Sequence, residues 1–274
     1  MSRRRTLMAV HAHPDDEALF TGGVLARCRA EGIDTVLVTC TGGELGFGPG
    51  GVRPGDPGHD PAQVARIRRR DLEESCRILG VTHLERLGYG DSGMSGWPQN
   101  DAPGAFAAAP PAEASARLGE LMERYRPDVV VTYDADGFYG HPDHVQAHRI
   151  TVAASDSTGI PAKLYFVTVP RSSLAGFVDL AVSFGVELPE WLDGATDLGT
   201  ADDLISAAVD CSGAIETKFA ALAAHRSQED IAFFLGLGLE LYSEIFSIEH
   251  YVRARDRTGA PLPEDDLFAG VGQV

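Results

Sequence analysis

Five short runs rich in apolar and β-branched residues, Thr6 to His11, Thr35 to Thr41, His83 to Leu87, Asp128 to Tyr133 and Lys163 to Val169, constrain this chain most. Segments of helical periodicity lie between them at about 15–31, 61–79, 112–125 and 142–156. Strands that alternate with helices read as βαβ units, and a parallel sheet built from such units is covered on both faces. The expected fold is therefore α/β: a Rossmann-like, mostly parallel sheet with helices on both faces. Two connections, 42–61 and 88–104, exceed the length of ordinary βα turns. Both follow expected strands, so they should form long loops at the carboxyl edge, where open α/β sheets bind ligands. Residues 1–170 read as the catalytic core. Residues 171–274 read as a smaller extension closing the pocket, with a helix at 213–226 and a strand at 242–254, the two forming one integrated domain.

Composition narrows the partners. The chain of 274 residues carries a formal charge of −17, which repels phosphate backbones and anionic lipid. Neither nucleic acid nor membrane is an expected partner; a small molecule is, and a homo-oligomer is compatible with the sequence. The start "MSRRRTLMAV" places arginines before an apolar stretch, but that stretch is too short for a signal peptide and runs straight into His11 to Glu17. Cys28, Cys40, Cys76 and Cys211 have no CxxC spacing and sit in apolar segments, as reduced buried thiols do. The expected compartment is cytoplasmic. "GFGPGG" at 46–51 opens no helix and lacks the lysine of a phosphate loop.

Two stretches stand out chemically, "AVHAHPDDEALF" at 9–20 and "GFYGHPDHVQAHR" at 137–149. Each places His-Pro-Asp behind an expected strand. Proline favours the first helical position, so His13 and His141 read as N-cap residues, with Asp16 and His144 one turn on and facing them. Two helix starts can thus offer converging imidazoles and carboxylates, the ligand set of a catalytic zinc site with an open position. Iron(II) suits the same donors. On the helix at 61–79, Arg68 falls on the apolar side together with Asp71. It either pairs with Asp71 or reaches the pocket.

"AHPDDE" and "GHPDH" together resemble the LmbE-like, or PIG-L, zinc-dependent N-deacetylases. "VTCTGGELG", "LGYGDSGM", "RPDVVVTYD", "AHRSQ" and "DDLFAGV" look most like the branch of mycothiol S-conjugate amidases. The resemblance implies a hydrolase that cleaves the N-acyl bond of an N-acylated amino sugar or conjugate. It implies zinc held by His13, Asp16 and His144, with Asp15 as general base. His141 and Tyr139 would stabilise the oxyanion, and Asp143 would orient and charge His141. Arg68, Glu44 and Asp91 match family positions that touch substrate. The amidase branch carries a lysine where this chain has Phe20. An aromatic ring there suits a sugar face or an apolar aglycone and makes a natural-product amino sugar an alternative substrate. A sugar-binding module with a degenerate site and a metal-dependent phosphoesterase are the readings from other classes.

Overall fold

The computed structural model describes residues 4–183 and 198–272. In chain order the elements are β1 (Thr6–His11), α1 (Asp16–Phe20), α2 (Gly22–Ala30), β2 (Asp34–Thr41), α3 (Pro61–Leu79), β3 (His83–Tyr89), α4 (Pro111–Tyr125) and β4 (Val129–Thr132). There follow a short turn α5 (Gly137–Gly140), α6 (Pro142–Thr158), β5 (Lys163–Thr168), α7 (Arg171–Ser183), β6 (Ala207–Asp210), α8 (Ile215–Ala224), α9 (Glu229–Gly236), α10 (Gly238–Phe246) and β7 (Ile248–Asp256).

The strands form one seven-stranded sheet in the order β3-β2-β1-β4-β5-β7-β6. β1 to β5 are parallel, and β7 pairs antiparallel with both β5 and β6. Every residue of β1 and β4 is buried, as central parallel strands covered on both faces must be. Right-handed crossovers put α2 and α3 on one face and α4 and α6 on the other. The packing agrees: α4 lies on α6, while α2 and α3 pack against α8. Strand order reverses between β1 and β4, and the crevice beyond the carboxyl ends at such a reversal is where open sheets bind ligands.

The elements follow local chemistry. Asp60 caps α3 through Oδ1, Pro61 opens it, and Gly80 ends it in a left-handed conformation. The helix expected over 15–31 is instead two, broken at Thr21. The strand expected at 242–254 begins only at Ile248, because residues up to Phe246 complete α10. The helix expected at 213–226 is α8. The first residues of the arginine-rich start, 1–3, lie outside the described residues.

The carboxyl-terminal region joins the sheet through β6 and β7, and buried charges stitch it to the core. Glu249 of β7 accepts from the backbone N–H groups of Gly23 (2.7 Å) and Val24 (3.0 Å) in the first turn of α2. It also pairs with Lys218 of α8 at 2.8 Å and accepts from Tyr251 at 2.9 Å. A Cβ at Gly23 would stand 2.5 Å from Cys211 Cβ, so only glycine lets α2 come this close. Glu264 likewise binds buried Lys163, Tyr165 and Arg253.

Candidate metal-dependent active site

The loops leaving β1 and β4 bring His13, Asp16, His141 and His144 together. At the second motif the expected capping holds: His141 is the N-cap of α6, its Nδ1 accepts from the Asp143 N–H at 3.1 Å, and Pro142 opens the helix. At the first it does not. α1 starts at Asp16, and its N-cap is Asp15, with φ 109° and ψ −29°. His13 and Pro14 lie before it in a turn. The expected pairing of positions 13 and 16 survives, since Asp16 Oδ2 accepts from the His13 N–H at 2.7 Å and stands 3.4 Å from His13 Nδ1.

These distances bear on a metal. Asp16 Oδ1 lies 3.5 Å from His144 Nε2, and neither ring nitrogen of this wholly buried imidazole has a hydrogen-bond partner among the described residues. Two ligands about 2.0–2.1 Å from a tetrahedral zinc stand roughly 3.3–3.4 Å apart. Each separation at Asp16 is near that value but runs to a different carboxylate oxygen, and ring nitrogens of His13, His141 and His144 lie within 4.8 Å of one another. His13 Nε2 lies 3.2 Å from Asp143 Oδ2. A carboxylate can only accept, so Nε2 carries the proton and Nδ1 faces Asp16 with its lone pair once a cation is present. The Tyr133 ring stacks on His144 at 4.0 Å and fixes its plane. The donor set therefore fits a divalent metal.

The electrostatics agree. Burial alone would lower the pKa of His13, but its bonds to Asp143 and Asp16 and the charge of Asp91 raise it well above the ordinary histidine value. The surroundings thus favour a cation at this point. Burial pushes His144 down to about 3, which keeps it neutral as a ligand must be. Burial, with His13 and His144 adding, also takes His141 to about 3. Because His141 Nδ1 accepts a backbone hydrogen bond, its proton is on Nε2.

Asp15 stands apart from Asp16. Its carboxylate is held by Arg68 Nη2 at 2.8 Å. Burial outweighs that cation and raises its pKa to about 6, a value suited to accepting a proton near neutrality. Arg68, only 6% exposed, also donates to the carbonyls of Pro14 and, at 2.8 Å, Gly43. Gly43 has φ 62°, and a Cβ there would meet Arg68 Nη1 at 2.4 Å. The alternative Arg68–Asp71 pair does not form; Asp71 accepts from Ser227 at 2.6 Å. Arg68 does reach the site, where its partner is Asp15.

The remaining candidates take other places. Asp143 does not turn its carboxylate to His141. Ser92 donates to it through N–H (2.9 Å) and Oγ (2.5 Å), and His13 Nε2 lies 3.2 Å from it. The Asp143 backbone N–H, not the carboxylate, hydrogen-bonds His141, while the carboxylate's charge still works to raise the His141 pKa. Glu44 and Asp91 tie the two long loops together: Glu44 Oε1 accepts from the Asp91 N–H at 2.9 Å, and Asp91 Oδ2 accepts from the Leu45 N–H at 3.1 Å. Asp91 Oδ1 also stands 3.8 Å from His13 Nε2. Tyr139, 43% exposed, is at the lip, its ring 5.0 Å from that of His144 and 6.0 Å from that of His141. Phe20 is half-buried in an aromatic layer with His11, Tyr133, Phe138 and His144. Ser92, Ser75 and Phe138 were not singled out by the sequence, and a lone serine or phenylalanine in a loop or helix carries no pattern that could have marked them.

Residues 8–155 match the family model described as PIG-L, GlcNAc-PI de-N-acetylase. The chain belongs to this family. A protein of Mycobacteroides abscessus is 43% identical over 280 residues, covering 97% of this chain and 98% of its own. One of Salinispora arenicola is 41% identical over 295 residues, covering 97% and 92%. Both are named 1D-myo-inositol 2-acetamido-2-deoxy-alpha-D-glucopyranoside deacetylase. Among solved structures, the N,N'-diacetylchitobiose deacetylase of Pyrococcus horikoshii superposes with a TM-score of 0.58, covering 91% of this chain and 83% of its own. At 21% identity it speaks for the fold alone.

Proposed function

We propose that this chain is a metal-dependent N-deacetylase that hydrolyses the acetamide of a small 2-acetamido-2-deoxyglucopyranoside, with inositol as the favoured aglycone. The observation that carries it is the buried cluster in which His13 Nδ1 and His144 Nε2 stand 3.4 and 3.5 Å, respectively, from an oxygen of Asp16, with ring nitrogens of His13, His141 and His144 within 4.8 Å of one another and Asp15 held separately by Arg68. The names of the relatives, which span nearly the whole chain, support the substrate class. His13, Asp16 and His144 hold the metal, which supplies Lewis acidity toward the amide carbonyl and a water. Zinc and iron(II) both suit the donors.

The chain's own groups do the rest. Asp15 accepts a proton from the water as its oxygen attacks the carbonyl carbon. When the carbon–nitrogen bond breaks, Asp15 returns that proton to the leaving amine, releasing acetate and the amino sugar. His141, neutral and carrying its proton on Nε2, donates to the oxygen on which negative charge develops, and Tyr139 donates from the lip. Arg68 holds Asp15 and leaves substrate contact to residues nearer the lip. No helix among the described residues is long and apolar enough to cross a membrane. A cytoplasmic setting fits the four buried, unpaired cysteines.

The test combines metal analysis with amine release. Near-stoichiometric metal in the isolated protein should vanish in His13→Ala and His144→Ala. Asp15→Asn should keep the metal and lose at least ~10²-fold in amine release. Offering the inositol glycoside, a mycothiol S-conjugate and an N-acetylated natural-product sugar side by side selects the substrate. A folded protein that binds no divalent metal, or releases amine from none of the three, overturns the reading.

A further inference from the structure

Glu17 ends the first acidic run, takes no part in the metal site, and is 1% exposed. Its carboxylate is fully engaged. Oε2 accepts from the Asp15 N–H at 2.9 Å, while Oε1 accepts from Ser75 Oγ of α3 at 2.5 Å and from His225 Nε2 at 2.7 Å. His225 caps the end of α8, more than two hundred residues away, and is completely buried. Its other nitrogen, Nδ1, has no hydrogen-bond partner among the described residues. Such a polar ring is costly to bury, and Glu17 is the only side chain to which it is hydrogen-bonded among them.

What Glu17 holds explains the arrangement. Asp15 lies at φ 109°, where a residue with a Cβ stays only if its surroundings over-determine it. Arg68 fixes the Asp15 carboxylate, and Glu17 fixes the Asp15 backbone N–H. We propose that His225 is a positioning residue for the deacetylase reaction: through Glu17 it locks the left-handed backbone of Asp15 and thereby aims the general base. This rests on the reading of Asp15 as the base. It gives α8, from the carboxyl-terminal extension, a part in catalysis without touching substrate. A small misplacement of a reacting group costs on the order of 10²-fold in rate, so a lock of this kind is visible in kcat.

The experiment compares His225→Leu, which removes the donor, with His225→Gln, which can still reach Glu17 with an N–H. Both are assayed metal-loaded. The lock predicts a loss of roughly 10- to 100-fold in kcat for His225→Leu with KM within about twofold of the parent and metal content unchanged, and recovery of most of kcat in His225→Gln. Hydrogen exchange at the Asp15 amide gives a reading independent of activity: at least ~10-fold faster in His225→Leu, near the parent rate in His225→Gln. If His225→Leu fails to fold, His225→Asn, too short to reach Glu17, takes its place with the same expectations. A parent-like kcat in the folded, metal-loaded variant, or an unchanged Asp15 exchange rate, overturns the proposal. So does a drop in unfolding midpoint alone, which a merely structural ion pair would give. Should the parent protein release no amine from any acetamido sugar, the functional reading falls, and the exchange rates still decide whether the lock exists.

Discussion

Replacing Arg68 by leucine is the sharpest stability test of the site. The guanidinium engages three oxygens, Asp15 Oδ2 and the carbonyls of Pro14 and Gly43, and its side chain is 7% exposed against 15% for that of Asp15. Leucine keeps much of the stem's packing and removes every donor. Removing one partner of a buried pair leaves the other charge uncompensated, at a cost of about 3–5 kcal/mol. The Asp15 backbone adds strain of order 1–3 kcal/mol that Arg68 helps to hold, so relaxation of that strain could return part of the loss. The net expectation is about 3 kcal/mol. At about 2–4 °C per kcal/mol for a protein of this size, that lowers Tm by roughly 6–12 °C. Arg68→Lys restores a charge and not the fork, and should recover about half. Gly43→Ala should resemble Arg68→Leu, because its Cβ would occupy the guanidinium's place. Thermal unfolding of the metal-free and metal-loaded proteins measures the loss. A Tm change under about 2 °C with a raised KM would show that Arg68 serves the substrate and does not hold Asp15.

Other perturbations read other parts of the molecule. Ser92→Ala removes both the Oγ donor to Asp143 and the acceptor for the Ala107 N–H; with His13 less firmly oriented, metal affinity should fall about 10- to 100-fold, measured by competition with a chromogenic chelator. Glu249→Leu strands Lys218 and uncaps α2, so about 3–5 kcal/mol of stability should be lost in urea unfolding, with metal binding retained in the folded protein. His225 faces Glu17, Asp15 and Arg68, and although burial works against it, the charge of Glu17 raises its pKa above the ordinary value. A raised folded pKa contributes stability in full below the unfolded value of about 6.5 and loses it as pH climbs through the folded one. The stability gap between the parent and His225→Gln should accordingly be wider at pH 6 than at pH 9, and a gap that widens with pH would refute the charged His225–Glu17 pair.

How much was legible in the sequence depended on how local the cause was. β1 and the helix at Pro61 matched their expected bounds, because continuous burial or a cap with proline and a terminal glycine writes itself into neighbouring residues. β6, only four residues long with burial alternating along it, carries too little pattern to be told from a loop, and its pairing with β7 spans some forty residues. The site divided the same way. His13 and Asp16, or His141 and His144, meet within one turn of chain, so their spacing announced them. Arg68 was legible as a buried cation but not in its partner, because Asp15 lies fifty-three residues away. Asp143 was assigned to the imidazole nearest in sequence, whereas the fold gives its carboxylate to His13 and Ser92.

The three consecutive acids at 15–17 owe their separate duties to one backbone angle. Within a regular helix, successive side chains are about 100° apart, which would spread Asp15, Asp16 and Glu17 around a single axis. The left-handed conformation of Asp15 interrupts that progression. Asp16 becomes the first helical residue and turns to His13 and His144, Glu17 folds back onto the Asp15 N–H, and Asp15 is carried to Arg68. Aspartate and asparagine tolerate this conformation better than other residues with a Cβ. Asp15→Asn therefore removes the charge with little added strain, whereas Asp15→Ala removes the charge and burdens the turn that also places Asp16. If the turn governs both duties, alanine should weaken metal binding measurably and asparagine should not. Equal metal affinity in the two variants would separate the metal site from the Asp15 backbone.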